Sequence, residues 1–185
     1  MKPTDLPMLT AARLHLASKH SLRLNQRAMR AYLETGSAER FLTDLLFIEL
    51  QRNGYNVTRE YGLGKRFAAD LVVHTPNPLI IEAKQNHLKD GARLAFRNLK
   101  KDLKRHLKEK SFGIIYVVDE TRSHTIYHVR PFGNQNRNTP HRIRIVLNAL
   151  KDNFSFIYPR QARRAVLRVF KGHGGVTLYA FIVRL

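Results

Sequence analysis

The sequence predicts an α/β protein with an αβββαβ core, a mixed central sheet flanked by helices, a basic helical arm before it and a basic extension after it. Three observations lead there. Residues 37–53 and 90–109 carry apolar side chains at spacings of three and four, the period of a helix with one buried face. Between them lie short Val-, Ile- and Leu-bearing runs broken by Gly and Pro, the pattern of strands joined by turns. Residues 112–118 are apolar almost throughout, as a strand covered on both faces must be.

The elements follow in order. Residues 10–33 are rich in Leu, Ala and Arg and read as one or two short basic helices that end at Thr35-Gly36-Ser37. In 37–53, Leu42, Leu45, Leu46 and Leu50 form the buried stripe, and Asn53-Gly54 stops the helix. Residues 55–61 read as a strand, Gly62-Leu63-Gly64 as a turn and 67–73 as a second strand. Pro76-Asn77-Pro78 forces the next turn and 79–84 is the third strand. In 90–109 the stripe Ala92, Phe96, Leu99, Leu103 and Leu107 faces a core. Arg93, Arg97, Lys100, Lys104 and Lys108, with Lys101 and Arg105 beside them, make a cationic ridge. Beyond residue 120 the pattern gives strands at 125–129, 142–147 and 176–184, a polar loop at 133–138 and a short basic helix at 161–170. The organisation is thus an arm at 1–36, a core at 37–120 and an extension at 121–185 that completes the same domain.

Charge narrows the partners. The 185 residues hold 33 Lys and Arg against 14 Asp and Glu, a net charge of +19. The excess is uneven, because residues 121–185 contain 12 basic residues and a lone acid, Asp152. Such a surface draws polyanions, since each phosphate it neutralises releases counterions, and nucleic acid is the expected partner. With no Cys, disulfide scaffolds, thiolate metal sites and thiol nucleophiles are excluded. No apolar run approaches the roughly 20 residues of a membrane span and no apolar segment follows the basic start as in a signal peptide. The expectation is a cytoplasmic protein without a membrane partner.

The chemistry points to Asp70 and to Glu82-Ala83-Lys84. Phosphodiester hydrolysis calls for a hard divalent cation, and Mg²⁺ takes carboxylate oxygens, water and the oxygens of the substrate phosphate. Alternation along a strand sends Glu82 and Lys84 to one face and Ala83 to the other, and a Lys there can orient or deprotonate the attacking water. If Pro76-Asn77-Pro78 is a three-residue loop, Thr75 pairs with Leu79. Val72 then stands opposite Glu82 and Asp70 opposite Lys84, all on one face. A loop of two or four residues would turn Asp70 away, so the site requires an odd loop or a bulge.

In its order of elements, with Asp70 before a turn and an apolar strand ending in Glu82-Ala83-Lys84, the segment 37–118 resembles the PD-(D/E)XK nuclease superfamily, which includes restriction endonucleases and Holliday-junction resolvases. The resemblance covers under half of the chain, and Ala69 stands where the family name has Pro. It implies a restriction-endonuclease-like fold and a Mg²⁺-dependent DNA endonuclease in which Mn²⁺ substitutes. Asp70 and Glu82 would bind the metal with the Ala83 carbonyl as a further ligand, and Lys84 would be the catalytic lysine. Many members add a Glu from the first helix. Glu39 matches that placement and is preferred to Glu49, which lies near the middle of the apolar face. Gln85 is placed at the scissile phosphate or as a plain strand-end residue. Lys65, Arg66, Arg93, Arg97, Lys100, Lys104, Arg163 and Arg164 are the expected phosphate contacts, and a homodimer would supply two cuts.

Other motifs fail. Gly62-Leu63-Gly64-Lys65 lacks the hydroxyl residue and the length of a phosphate-binding loop, and of nine His only His124 and His128 share a ligand-like spacing, on a strand. A structure-selective resolvase, a non-catalytic nucleic-acid binder and a nuclease toxin held by an acidic partner remain alternatives.

Overall fold

A computed structural model describes residues 6–24, 32, 38–62, 68–87, 93–106, 110–119, 139–158, 167–171 and 177–185. Among these, four helices and seven strands alternate as α1 (Leu6–Leu24), α2 (Ala38–Arg52), β1 (Val57–Gly62), β2 (Ala68–Val73), β3 (Leu79–His87), α3 (Arg93–Arg105), β4 (Lys110–Asp119), α4 (Thr139–Asn153), β5 (Ser155–Tyr158), β6 (Leu167–Lys171) and β7 (Thr177–Arg184). The strands form one mixed sheet in the order β1-β2-β3-β4-β7, with β5 and β6 sharing the far edge of β7. All neighbours are antiparallel except β3 and β4. That parallel pair requires a crossover, which α3 provides.

Alternation along the strands divides the core into two layers. Leu71, Val73, Leu79, Ile81, Ala83, Ile114, Tyr116, Ala180 and Ile182 pack with Leu6, Ala11 and Leu14 of α1 and Leu42, Leu46 and Leu50 of α2. Ile115, Val117, Tyr179, Phe181 and Val183 point the other way, against Phe96, Leu99 and Leu103 of α3 and Val146 and Leu150 of α4. The central strand β4 is therefore buried on both faces, as its composition requires. No helix among the described residues is long and apolar enough to cross a membrane.

Local chemistry explains the ends of α2. Gly54 adopts φ +80°, the left-handed conformation that favours glycine. The Tyr55 N–H donates to the Leu50 carbonyl at 3.1 Å and the Gly54 N–H to the Gln51 carbonyl at 2.9 Å, a Schellman stop. Gly113 serves a different need. A Cβ there would lie 2.6 Å from Leu99 Cδ2, so the missing side chain is what lets α3 lie close over β4.

Two expectations for the last third are corrected. Residues 142–147 are not a strand but part of α4, because Val146, Leu150 and Phe154, four residues apart, are all buried in one cluster. Residues 167–170 of the expected basic helix belong instead to β6, paired with β7. The expected strand at 125–129, the loop at 133–138 and residues 161–166 lie outside the described residues.

Candidate active site

The β2–β3 pairing ends early, and the site lies where it ends. The ladder runs Val73↔Leu79, Val72↔Ile80 and Leu71↔Ile81, while β3 continues to His87. The connecting loop is thus residues 74–78, odd as the site requires but longer than the three residues of Pro76-Asn77-Pro78. The register is corrected by two: Val72 stands opposite Ile80, and the next step places Asp70 opposite Glu82, not opposite Lys84. Parity is preserved, so Asp70, Glu82 and Lys84 still share a face.

The ladder to β2 stops at Ile81, and beyond it, among the described residues, carboxylates meet the β3 amides on that edge. The Ala83 N–H donates to Asp70 Oδ2 at 2.7 Å, and the Gln85 N–H donates to Glu39 Oε2 at 2.5 Å. The Gln85 side chain returns the contact, its Oε1 accepting from the Glu39 N–H at 3.1 Å. That amide lies in the first turn of α2, where no carbonyl within the helix can reach it. Gln85 therefore caps α2 and fixes Glu39 over the end of β3. Because the N–H and C=O of one strand residue point the same way, the Ala83 carbonyl also faces the opening.

Lys84 stands among acids. Its Nζ lies 4.0 Å from Glu39 Oε1, 4.0 Å from Asp70 Oδ2 and 3.4 Å from Asp102 Oδ2. Burial disfavours its charge, but Asp70, Glu39, Asp102 and Glu82 together outweigh this and hold its pKa above the usual lysine value. Glu82 is buried, with Oε1 2.9 Å from His106 Nε2. Burial first, then repulsion from Asp70 and Asp102, pushes its pKa up to about 8, against the attraction of Lys84. Glu39 is raised in the same direction, chiefly by burial.

The structure thus brings together Glu39, Asp70, Glu82, Ala83, Lys84 and Gln85. Glu49 is elsewhere, its Oε1 3.2 Å from Arg52 Nη1 on the same helix. On α3, Arg97, Lys101, Lys104 and Arg105 are exposed, whereas Lys100 is half-buried with Nζ 3.5 Å from Asn153 Oδ1 of α4. Lys65, Arg66, Arg163 and Arg164, and the side chain of Arg93, lie outside the described residues. Among the described residues no group of three or more His, Asp and Glu side chains is drawn together tightly enough to enclose a metal ion. The Lys84 ammonium stands between the acids, and Asp70 and Glu39 each commit an oxygen to a β3 amide.

Asp102 and His106 were not foreseen from sequence. Asp102 is hidden in the basic run Lys100-Lys101-Asp102-Leu103-Lys104-Arg105 as the sole acid of α3. His106 follows Leu99 and Leu103 on the apolar stripe. A polar group on a buried stripe needs a buried partner, and that was the available signal. Comparison of the chain with models of known families, with curated proteins and with solved structures finds no match.

Proposed function

We propose that the protein is a divalent-metal-dependent deoxyribonuclease with a restriction-endonuclease-like fold and a PD-(D/E)XK-type site. The observation that carries this reading is the opening between β2 and β3, where Glu39, Asp70, Glu82 and Lys84 converge from two strands and a helix. Carboxylates clustered at this density, Glu82 buried and Glu39 and Asp70 partly so, repel one another, and a cation relieves that repulsion. The donors are hard oxygens, which suit Mg²⁺ or Mn²⁺. Asp70, Glu82 and the Ala83 carbonyl would hold the ion, which when bound supplies Lewis-acid polarisation of the phosphate.

The chain's own residues do the rest. Lys84 holds the attacking water and balances charge that develops on the phosphate. Glu39 completes the acidic rim, kept in place by Gln85. The exposed cations of α3 grip the DNA backbone, a mode of contact that reads shape before sequence. A homodimer would place two such sites on a duplex or a junction.

The test is incubation of wild type and Lys84→Ala with linear, supercoiled and four-way-junction DNA, in Mg²⁺, Mn²⁺ or chelator. Metal-dependent cleavage by wild type, lost in Lys84→Ala while DNA retention persists, is the expected result. Absence of cleavage on every substrate, or equal cleavage by the variant, refutes the proposal.

A further inference from the structure

Asp102 lies in the last turn of α3, and His106 directly follows its end, in a turn where its N–H donates to the Leu103 carbonyl. Each touches a different member of the Glu82-Ala83-Lys84 motif. Among the described residues Asp102 Oδ2 is the nearest carboxylate oxygen to Lys84 Nζ, at 3.4 Å against 4.0 Å for Glu39 and Asp70. Its other oxygen accepts from Arg105 Nη1 at 2.9 Å. His106 Nε2 meets Glu82 Oε1 at 2.9 Å with both side chains 4% exposed.

We infer that the C-terminal end of α3 is the positioning layer of this site, Asp102 in its last turn aiming the Lys84 ammonium and His106 in the turn just after it fixing the Glu82 carboxyl. Physical reasons favour positioning over mere stability. A buried polar pair contributes little net stability compared with apolar side chains of the same volume, and Leu99 and Leu103 on the same stripe show that this face accepts apolar residues. Lysine has four rotatable side-chain bonds and loses much rotamer freedom when held. Asp102 narrows that freedom, and Arg105 fixes the Asp102 rotamer from outside. For Glu82 the alternation of β3 sets only the face, whereas the His106 contact sets where on that face its oxygens stand. Outer partners of metal-ligating carboxylates act in this way. The approach of α3 over Gly113, the parallel-ladder partner of Glu82, brings both residues within reach.

The functional half of this inference rests on the nuclease reading. The experiment therefore includes a readout that does not depend on cleavage. In the full chain, Asp102→Asn, Asp102→Glu, His106→Leu and His106→Gln are compared with wild type by the Lys84 ¹⁵Nζ ammonium resonance, by thermal unfolding and by steady-state DNA cleavage against Mg²⁺ concentration. The Lys84 resonance is expected to be observable in wild type and lost in Asp102→Asn. Asp102→Asn should lower kcat about 10–100-fold with the KM for DNA unchanged, and Asp102→Glu should recover part of it. His106→Leu should raise the Mg²⁺ half-saturation about 10-fold, and His106→Gln, which keeps a hydrogen-bonding amide near the Nε2 position, should restore it. An unchanged Lys84 resonance in both Asp102 variants overturns the inference even if no DNA is cleaved, an outcome that would separately remove the nuclease reading. Unchanged kcat and Mg²⁺ dependence in Asp102→Asn and His106→Leu, or a His106→Gln as defective as His106→Leu, also overturns it.

Discussion

Replacing Glu82 by Gln should stabilise the fold at alkaline pH and, under the proposed function, abolish DNA cleavage. The folded carboxyl holds its proton up to a pKa of about 8, against an ordinary value of 4.5. Between these two values the folded state binds a proton that the unfolded state has released, so stability falls as pH rises. The loss begins near pH 4.5 and is complete above about pH 8. At about 1.4 kcal/mol per pH unit, the interval corresponds to on the order of 5 kcal/mol. For a chain of this size that is a Tm displacement of about 10–20 °C. Gln preserves the side-chain shape and a hydrogen bond to His106 but has no proton to lose. Urea unfolding of both proteins from pH 4.5 to pH 9 without divalent metal measures the effect. The wild type should lose stability relative to Glu82→Gln through this window, and the curves should run parallel outside it. Parallel curves throughout, or a wild type that gains on the variant as pH rises, would refute the reasoning that burial and Asp70 oppose ionisation of Glu82.

Three further expectations follow from the same geometry. Under the proposed function Mg²⁺ would have to displace the Glu82 proton to bind, so its elevation of Tm should be larger at pH 8.5 than at pH 6; a scan at both pH values checks this. Gly113→Ala places a methyl group 2.6 Å from Leu99 Cδ2 and should cost about 1–3 kcal/mol, read by denaturant titration, with a loss of cleavage beyond that of an equally destabilised core variant because α3 is displaced. Replacing Arg97, Lys101 and Lys104 together by Ala should leave Tm unchanged and flatten the salt dependence of DNA binding by about 0.9 in log–log slope for each phosphate contact removed. A slope equal to wild type would exclude this face from the interface.

The elements from α2 to β4 were legible because each is governed by its own residues. Leu42, Leu46 and Leu50 fall one turn apart, Gly54 permits the stop, and the apolar run 112–118 allows no exposed face. The last third misled where the two signals conflicted. Ile143, Ile145 and Val146 favour a strand by side-chain shape, yet Val146, Leu150 and Phe154 carry the helical period over a longer window, and tertiary burial decides between them. At the site, parity was readable and absolute register was not. The turn around Pro76 extends to residues 74–78, and loops of three and five residues send Asp70 to the same face. Asp102 and His106 escaped notice because their partners lie about 20 residues away in sequence, and packing of α3 on the sheet is what joins them.

The parting of β2 from β3 has a consequence for how the site reports on itself. The amides of Ala83 and Gln85 owe their shelter to two side chains, Asp70 and Glu39, while their neighbours on β3 are sheltered by the ladder to β4. Whatever recruits those carboxylates elsewhere uncovers these two amides and leaves the remainder of the sheet intact. Their deuterium uptake is therefore a residue-resolved gauge of events at the opening, written into the backbone and readable without labelled substrate.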